Sequence, residues 1–251
     1  MRAELFGPEH IAYIVISTIL GCAYLLLAKK YAKTEKAQSR ALKILAFLLF
    51  VAVMTNRLSQ VYRYEEVRWY LIIPDSFCGM TSLVLALAVL FGKRDNNVLH
   101  FVWLLGIFGG ISTVIYATFV DQGPTIFYLP TISGLVHHSL SAITVVALFM
   151  FRQIDVTYKK WYCTFFGFTA YMTVGAFLMH TFPMSDAFHI AEPLLSDTPL
   201  TAWVMAPMYA VAYGIILLGF EMAKRKKAKN WQLTQKILLK NSLKLNSLEK
   251  K

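Results

Sequence analysis

The chain has 251 residues, of which 57% are hydrophobic and only 16% charged, with a mean hydropathy of +0.52. That is far more apolar than a soluble domain of this size and excludes a water-soluble core. The net charge of +11 is gathered in a few loops and the tail instead of lining a groove, which points to a membrane surface and away from nucleic acid as a partner.

Apolar runs long enough to cross about 30 Å of hydrocarbon at about 1.5 Å per residue fall at 9–28, 41–62, 70–91, 97–118, 131–151, 161–181 and 199–220. The expected fold is therefore an all-α membrane protein, a seven-transmembrane-helix bundle. The first run follows the acidic residues Glu4 and Glu9 and is closed by no small-residue cleavage site, so it reads as a retained span and not a leader. Most connections are short, which makes consecutive spans neighbours. Residues 1–223 then form one transmembrane domain and 224–251 a basic tail. Cys22, Cys78 and Cys163 all lie inside apolar runs, and no disulfide framework is expected.

Orientation follows from the basic residues. Lys29, Lys30, Lys33, Lys36 and Arg40 fill the first loop, Lys93 and Arg94 the third, Arg152, Lys159 and Lys160 the fifth, and the tail from Lys224 continues the series. The alternate segments hold Arg2, Arg63 and Arg68 among Glu4, Glu9, Glu65, Glu66, Asp121, Asp186, Glu192 and Asp197. This alternation predicts an N-terminus outside and a C-terminus in the cytoplasm. In the tail, Leu233, Ile237, Leu238, Leu243, Leu245 and Leu248 recur among lysines, a pattern suited either to an interfacial amphipathic helix on the anionic inner leaflet or to a solvated end.

Polar groups inside spans are costly and ask for a partner, a wet cavity or a role. In the third span Asp75, Cys78 and Thr81/Ser82 share one helical face that begins at Pro74. In the fifth, Thr131, Gly134, His138 and Ser141 share a face, with His137 turned away by about 100°. Cys78 and His138 each lie about 12 Å below the outer surface. His10 on span one, Asn56, Arg57 and Gln60 on span two, and His180 at the end of span six reach toward the same level. Together they predict an outward-facing polar pocket of His10, Asn56, Arg57, Asp75, His137 and His180 around Cys78 and His138. A thiol beside an imidazole is the basis of nucleophilic catalysis, because the imidazole takes the thiol proton and the thiolate attacks a carbonyl. The plainer reading makes Cys78 small packing material, the histidines interhelical hydrogen-bonding groups, and Arg57 a partner of Asp75 or Glu65. No metal is expected, because adjacent histidines on a helix point apart and no carboxylate completes a usual ligand set.

The segment Ile73-Pro74-Asp75-Ser76-Phe77-Cys78 is similar to the Leu-Pro-x-x-x-Cys signature of the bacterial YwaF-type integral membrane proteins, relatives of the eukaryotic transmembrane protein 164 acyltransferases. His10 resembles that family's early Ser-His, Gly106-Ile107-Phe108-Gly109-Gly110 its Gly-rich fourth span, and Val136-His137-His138-Ser139 its single histidine near the top of the fifth, with His138 aligning best. The resemblance runs to about Phe220. It implies a bacterial plasma-membrane protein in which Cys78 attacks a glycerolipid or fatty-acid ester, His138 serves as general base, and the acyl group passes to a second lipid or to water. The implied partners are phospholipid or lysophospholipid substrates and membrane lipids, and no cofactor is implied.

Two departures stand out. Asp75 replaces a usually apolar residue, and a carboxylate so near a nucleophile opposes thiolate formation unless a cation or histidine holds it. Thr201-Ala202-Trp203-Val204-Met205-Ala206-Pro207-Met208-Tyr209 replaces the relatives' Gly-Pro-Trp-Pro-Trp-Tyr, which implies a different acceptor. A competing class is a small-solute binding or transport protein using the same pocket, with bends at Pro74 and Gly109-Gly110. Against it, no inverted repeat and no buried carboxylate cluster is present in the sequence.

Overall fold

The computed structural model describes residues 5–63, 65–121 and 123–248, and among these all regular structure is helical. Seven α-helices follow in order among the described residues: α1 (Pro8–Tyr31), α2 (Glu35–Val61), α3 (Phe77–Phe91), α4 (Asn97–Ile115), α5 (Leu129–Met150), α6 (Tyr162–Thr181) and α7 (Ala202–Leu248). Their starts are written locally. Thr34, Ser76 and Asn96 each accept a hydrogen bond from the backbone N–H three residues on, at 3.2, 3.2 and 3.1 Å, satisfying donors that a helix's first turn leaves without intrahelical acceptors. Pro8 and Pro130 sit in the first turns of α1 and α5, where a missing N–H costs nothing.

Six of these helices, α1, α2, α4, α5, α6 and the first part of α7, are long and apolar enough to cross a membrane. The third differs from the expected continuous helix over 70–91. Trp69–Ile72 forms a 3-10 turn, Ile73 is extended at φ −83° and ψ 126°, and α3 begins only at Phe77 with 15 residues. Pro74 forces this break, because its ring disfavours helical geometry in the residue before it, and Ser76 then caps the restart. Asp75 consequently lies outside the helix, so the expected stripe begins at Cys78.

The bundle is centred on α5, which packs against α2 and α4, while α3 lies between α2 and α4; α1 leans on α5, α6 on α4, and α7 on α6. The outer helices are apolar on their free faces: Leu20 of α1 and Ile215 of α7 are 65% and 66% exposed. Such surfaces suit lipid. α7 runs on as one helix through Lys224 to Leu248. The side chains of Leu233 and of the residues from 235 onward, on which the amphipathic reading of the tail turns, lie outside those described.

The loop between α6 and α7 folds back over the ends of α3 and α6. Its Phe188 is 1% exposed and packs against Phe77 and Tyr171 at ring-centroid distances of 5.6 and 5.5 Å. Phe188 and the following His189 both adopt left-handed backbone, φ 55° and 56°, a conformation that non-glycine residues rarely hold without tertiary support. Here the support is a hydrogen bond from the Phe188 N–H to the Asp75 carbonyl at 2.7 Å and one from the Ala202 N–H to the His189 carbonyl at 2.6 Å.

Candidate functional site

Cys78 is the second residue of α3 and is half-buried. The glycine-rich stretch of α4 lets its neighbours in. A Cβ added at Gly109 would stand 3.1 Å from the Cys78 sulfur, and one at Gly110 would stand 2.6 Å from the His138 carbonyl oxygen on α5. The missing side chains allow α3 and α5 to approach α4 at the same level. On the α5 side, Ser141 donates to the Gly106 carbonyl at 3.2 Å. Gly109 thus leaves room for the Cys78 thiol, and Gly110 for the backbone of His138. α4 runs as one helix through Gly109 and Gly110, and both glycines admit close neighbours.

His137 and His138 are both buried. Their side chains leave the helix at different angles, yet the rings lie 4.2 Å apart between centroids and only 32° from parallel, against the expectation that neighbouring histidines point apart. Two short side chains on consecutive residues can turn toward one another through χ1 and χ2, and burial favours it here. His137 Nδ1 shares a hydrogen bond with Ser82 Oγ at 3.3 Å. Among the described residues no group of three or more His, Cys, Asp and Glu is arranged to hold a metal ion.

A model of the TMEM164 family matches residues 5–222. The chain belongs to the TMEM164 family. No curated protein and no solved structure matches it. Its apolar helices and this membership make it a multi-pass membrane protein. The family region runs from the residues before α1 into α7 and stops at Met222, two residues ahead of the basic run that starts at Lys224.

Within this TMEM164-family chain the remaining pocket residues separate. Arg57 and Asp75 form an ion pair at 3.1 Å, and Arg57 Nε donates to the Leu71 carbonyl at 2.8 Å. The carboxylate that replaces an apolar residue is therefore held by a cation from α2. Asn56 donates to the Pro130 carbonyl at 3.0 Å and to Ser133 Oγ at 3.2 Å, joining α2 to the start of α5. Gln60 donates to Asp121. His10 has both ring nitrogens engaged, Nδ1 accepting from the Phe6 N–H at 3.1 Å and Nε2 donating to the Val114 carbonyl at 2.9 Å. It ties α1 to α4 and is not turned to Cys78. His180 is exposed near the end of α6.

Two residues of the site are absent from the sequence reading. Tyr171, buried on α6, donates to Thr81 Oγ1 at 3.3 Å, one turn below Cys78. A tyrosine hydroxyl in mid-span was a legible signal, since a buried phenol needs a partner. Phe188 had none: an aromatic residue in a polar loop does not announce that it closes over a helix end.

Proposed function

We propose that this chain is a membrane-embedded acyl-transfer enzyme of the YwaF type, with Cys78 as nucleophile and His138 as general base, acting on glycerolipid esters in a bacterial plasma membrane. The observation that carries the proposal is the close approach of both residues to one glycine pair of α4: Gly109 leaves just enough room for the Cys78 sulfur, at 3.1 Å from where a methyl would stand, and Gly110 leaves room for the His138 carbonyl, at 2.6 Å. A neutral imidazole keeps a lone pair on one ring nitrogen, the form a general base requires.

In this reading His138 takes the thiol proton as the sulfur attacks the ester carbonyl, forming the C–S bond. The carbonyl oxygen gathers negative charge. The first-turn N–H groups of Phe77 and Cys78 lie ahead of the Ser76-capped Gly79 N–H and have no intrahelical acceptor, which suits them to receive that charge. The ester C–O bond then breaks, the departing alkoxide takes the proton from the imidazolium, and a lysolipid leaves an acyl thioester on Cys78. A second lipid hydroxyl, or water, gives its proton to His138, attacks the thioester and displaces the thiolate, which is reprotonated.

The proposal includes seven spans, with α3 and the Trp69–Ile72 turn together making the third, the N-terminus outside, and the pocket open toward the outer leaflet. The test is direct. Purified protein incubated with phospholipid should carry an acyl mass on Cys78 that hydroxylamine removes. Full lipid turnover by Cys78→Ala with no adduct on the native chain overturns the reading.

A further inference from the structure

Away from Cys78, the first half of α2 carries a shallow, open surface groove with two unlike ends. Lys36, Ser39, Arg40 and Lys43 line one end, and Phe47 and Leu48 the other. The three cations stand at i, i+4 and i+7, one face of the helix. Among the described residues none of them pairs with a carboxylate, and the neighbouring Glu35 instead faces Arg94 at 3.4 Å. Phe47 and Leu48 are 57% and 46% exposed.

The length of α2 places this groove. Its 27 residues reach about 40 Å at about 1.5 Å per residue, against about 30 Å of hydrocarbon. The excess puts the turns with Lys36 and Arg40 at headgroup depth, and Phe47 and Leu48 then fall beside acyl chains. Three uncompensated cations above an exposed apolar face match a molecule with a negative head and hydrocarbon tails.

We infer that this groove is a binding site for one anionic phospholipid of the leaflet on the side of the α1–α2 loop, its phosphate held by Lys36, Arg40 and Lys43 with the Ser39 hydroxyl, and an acyl chain lying along Phe47 and Leu48. In the proposed orientation this is the inner leaflet, on the opposite side of the membrane from Cys78. A zwitterionic lipid supplies its own cation and gains little from three more, so the site selects net negative headgroups. It is independent of the acyl-transfer reading and stands if that reading fails.

The test uses the full chain in nanodiscs containing equal phosphatidylglycerol and phosphatidylcholine, with bound lipid counted by native mass spectrometry after release. The native chain should retain one phosphatidylglycerol in preference to phosphatidylcholine. K36Q/R40Q/K43Q should lower that retention by about tenfold or more, and R40E alone should lower it too. K29Q/K30Q/K33Q, which removes equal charge at the end of α1 and in the α1–α2 loop, should keep it. All the substituted side chains are exposed, and thermal unfolding checks that each variant is folded. Equal retention of the two lipids by the native chain, unchanged retention by K36Q/R40Q/K43Q, or an equal loss in the control variant each overturns the site.

Discussion

Arg57 on α2 and Asp75 ahead of α3 are paired at 3.1 Å across a gradient of burial, the guanidinium side chain 9% exposed and the carboxylate 31%. Asp75 also holds the Phe188 N–H through its carbonyl, so one residue links α2, the start of α3 and the α6–α7 loop. Removing one partner of a buried pair leaves the other charge uncompensated, which typically costs about 3–5 kcal/mol; the partial exposure of Asp75 argues for the low end or below. Asp75→Ala should therefore lower the thermal midpoint in detergent at least as much as Arg57→Ala, because it strands the deeper charge, whereas Arg57→Ala strands a partly exposed carboxylate and leaves the Leu71 carbonyl without its donor. Arg57→Lys should not rescue, since an ammonium cannot reach both acceptors with a planar fork. Equal midpoints for Arg57→Ala and the native chain would show that the pair contributes nothing.

Gly109→Ala and Gly110→Ala should separate chemistry from packing. The added methyl at Gly109 meets the Cys78 sulfur at 3.1 Å, the end of a small side chain that can rotate, whereas at Gly110 it meets the His138 carbonyl at 2.6 Å, backbone that can yield only if α4 and α5 part. Overpacking of that second kind costs about 1–3 kcal/mol. Gly109→Ala should thus displace the thiol and depress acylation of Cys78 with a near-native unfolding midpoint, while Gly110→Ala should lower the midpoint. Intact-mass acylation and thermal unfolding of both variants decide it.

Much of the bundle was legible in the sequence, because lipid demands apolar helical runs and the expected runs and the helices coincide within a few residues along most of the chain. The third span was misread for an identifiable reason: hydropathy counts Ile73 and Pro74 as apolar, but backbone geometry is set by the proline ring, and the helix restarts at the Ser76 cap. In the sequence, Cys78 and His138 are related by their matched depth and by the family resemblance, neither of which shows a contact with α4. The absence of side chains at Gly109 and Gly110 is what lets α4 approach the Cys78 sulfur and the His138 backbone, and a glycine in a span reads equally as a bend or as a contact. The ring-to-ring approach of His137 and His138 was hidden, since helical angle fixes where Cβ points and not where χ torsions carry the ring.

Phe188 closes the site from above, and its removal should be felt in two ways. Phe→Ala at a fully buried position costs about 3–5 kcal/mol, so the midpoint of Phe188→Ala should fall. The cavity also opens a path to Cys78 between Phe77 and Tyr171. Labelling of Cys78 by a water-soluble maleimide should accelerate relative to the native chain, with Cys22 and Cys163 replaced by alanine in both proteins. A lowered midpoint with unchanged labelling would make Phe188 packing alone and leave access to another route.

The two adjacent histidines give the sharpest separation of roles. His138 is buried on α5 with its carbonyl against Gly110, next to the Gly109 that faces the Cys78 sulfur, while His137 shares a hydrogen bond with Ser82 at 3.3 Å on the neighbouring helix. General-base catalysis contributes about 10²–10⁴-fold, so His138→Gln should lower acyl transfer by that order, in kcat as well as kcat/KM, with the unfolding midpoint little changed. His137→Gln keeps a side chain able to bond Ser82 and should cost less than about tenfold, a loss confined to positioning the ring beside it. Ser82→Ala should resemble His137→Gln, because both release the same hydrogen bond. If instead His137→Gln abolishes turnover and His138→Gln is mild, the base is His137, and the line of proton transfer runs through Ser82 and α3.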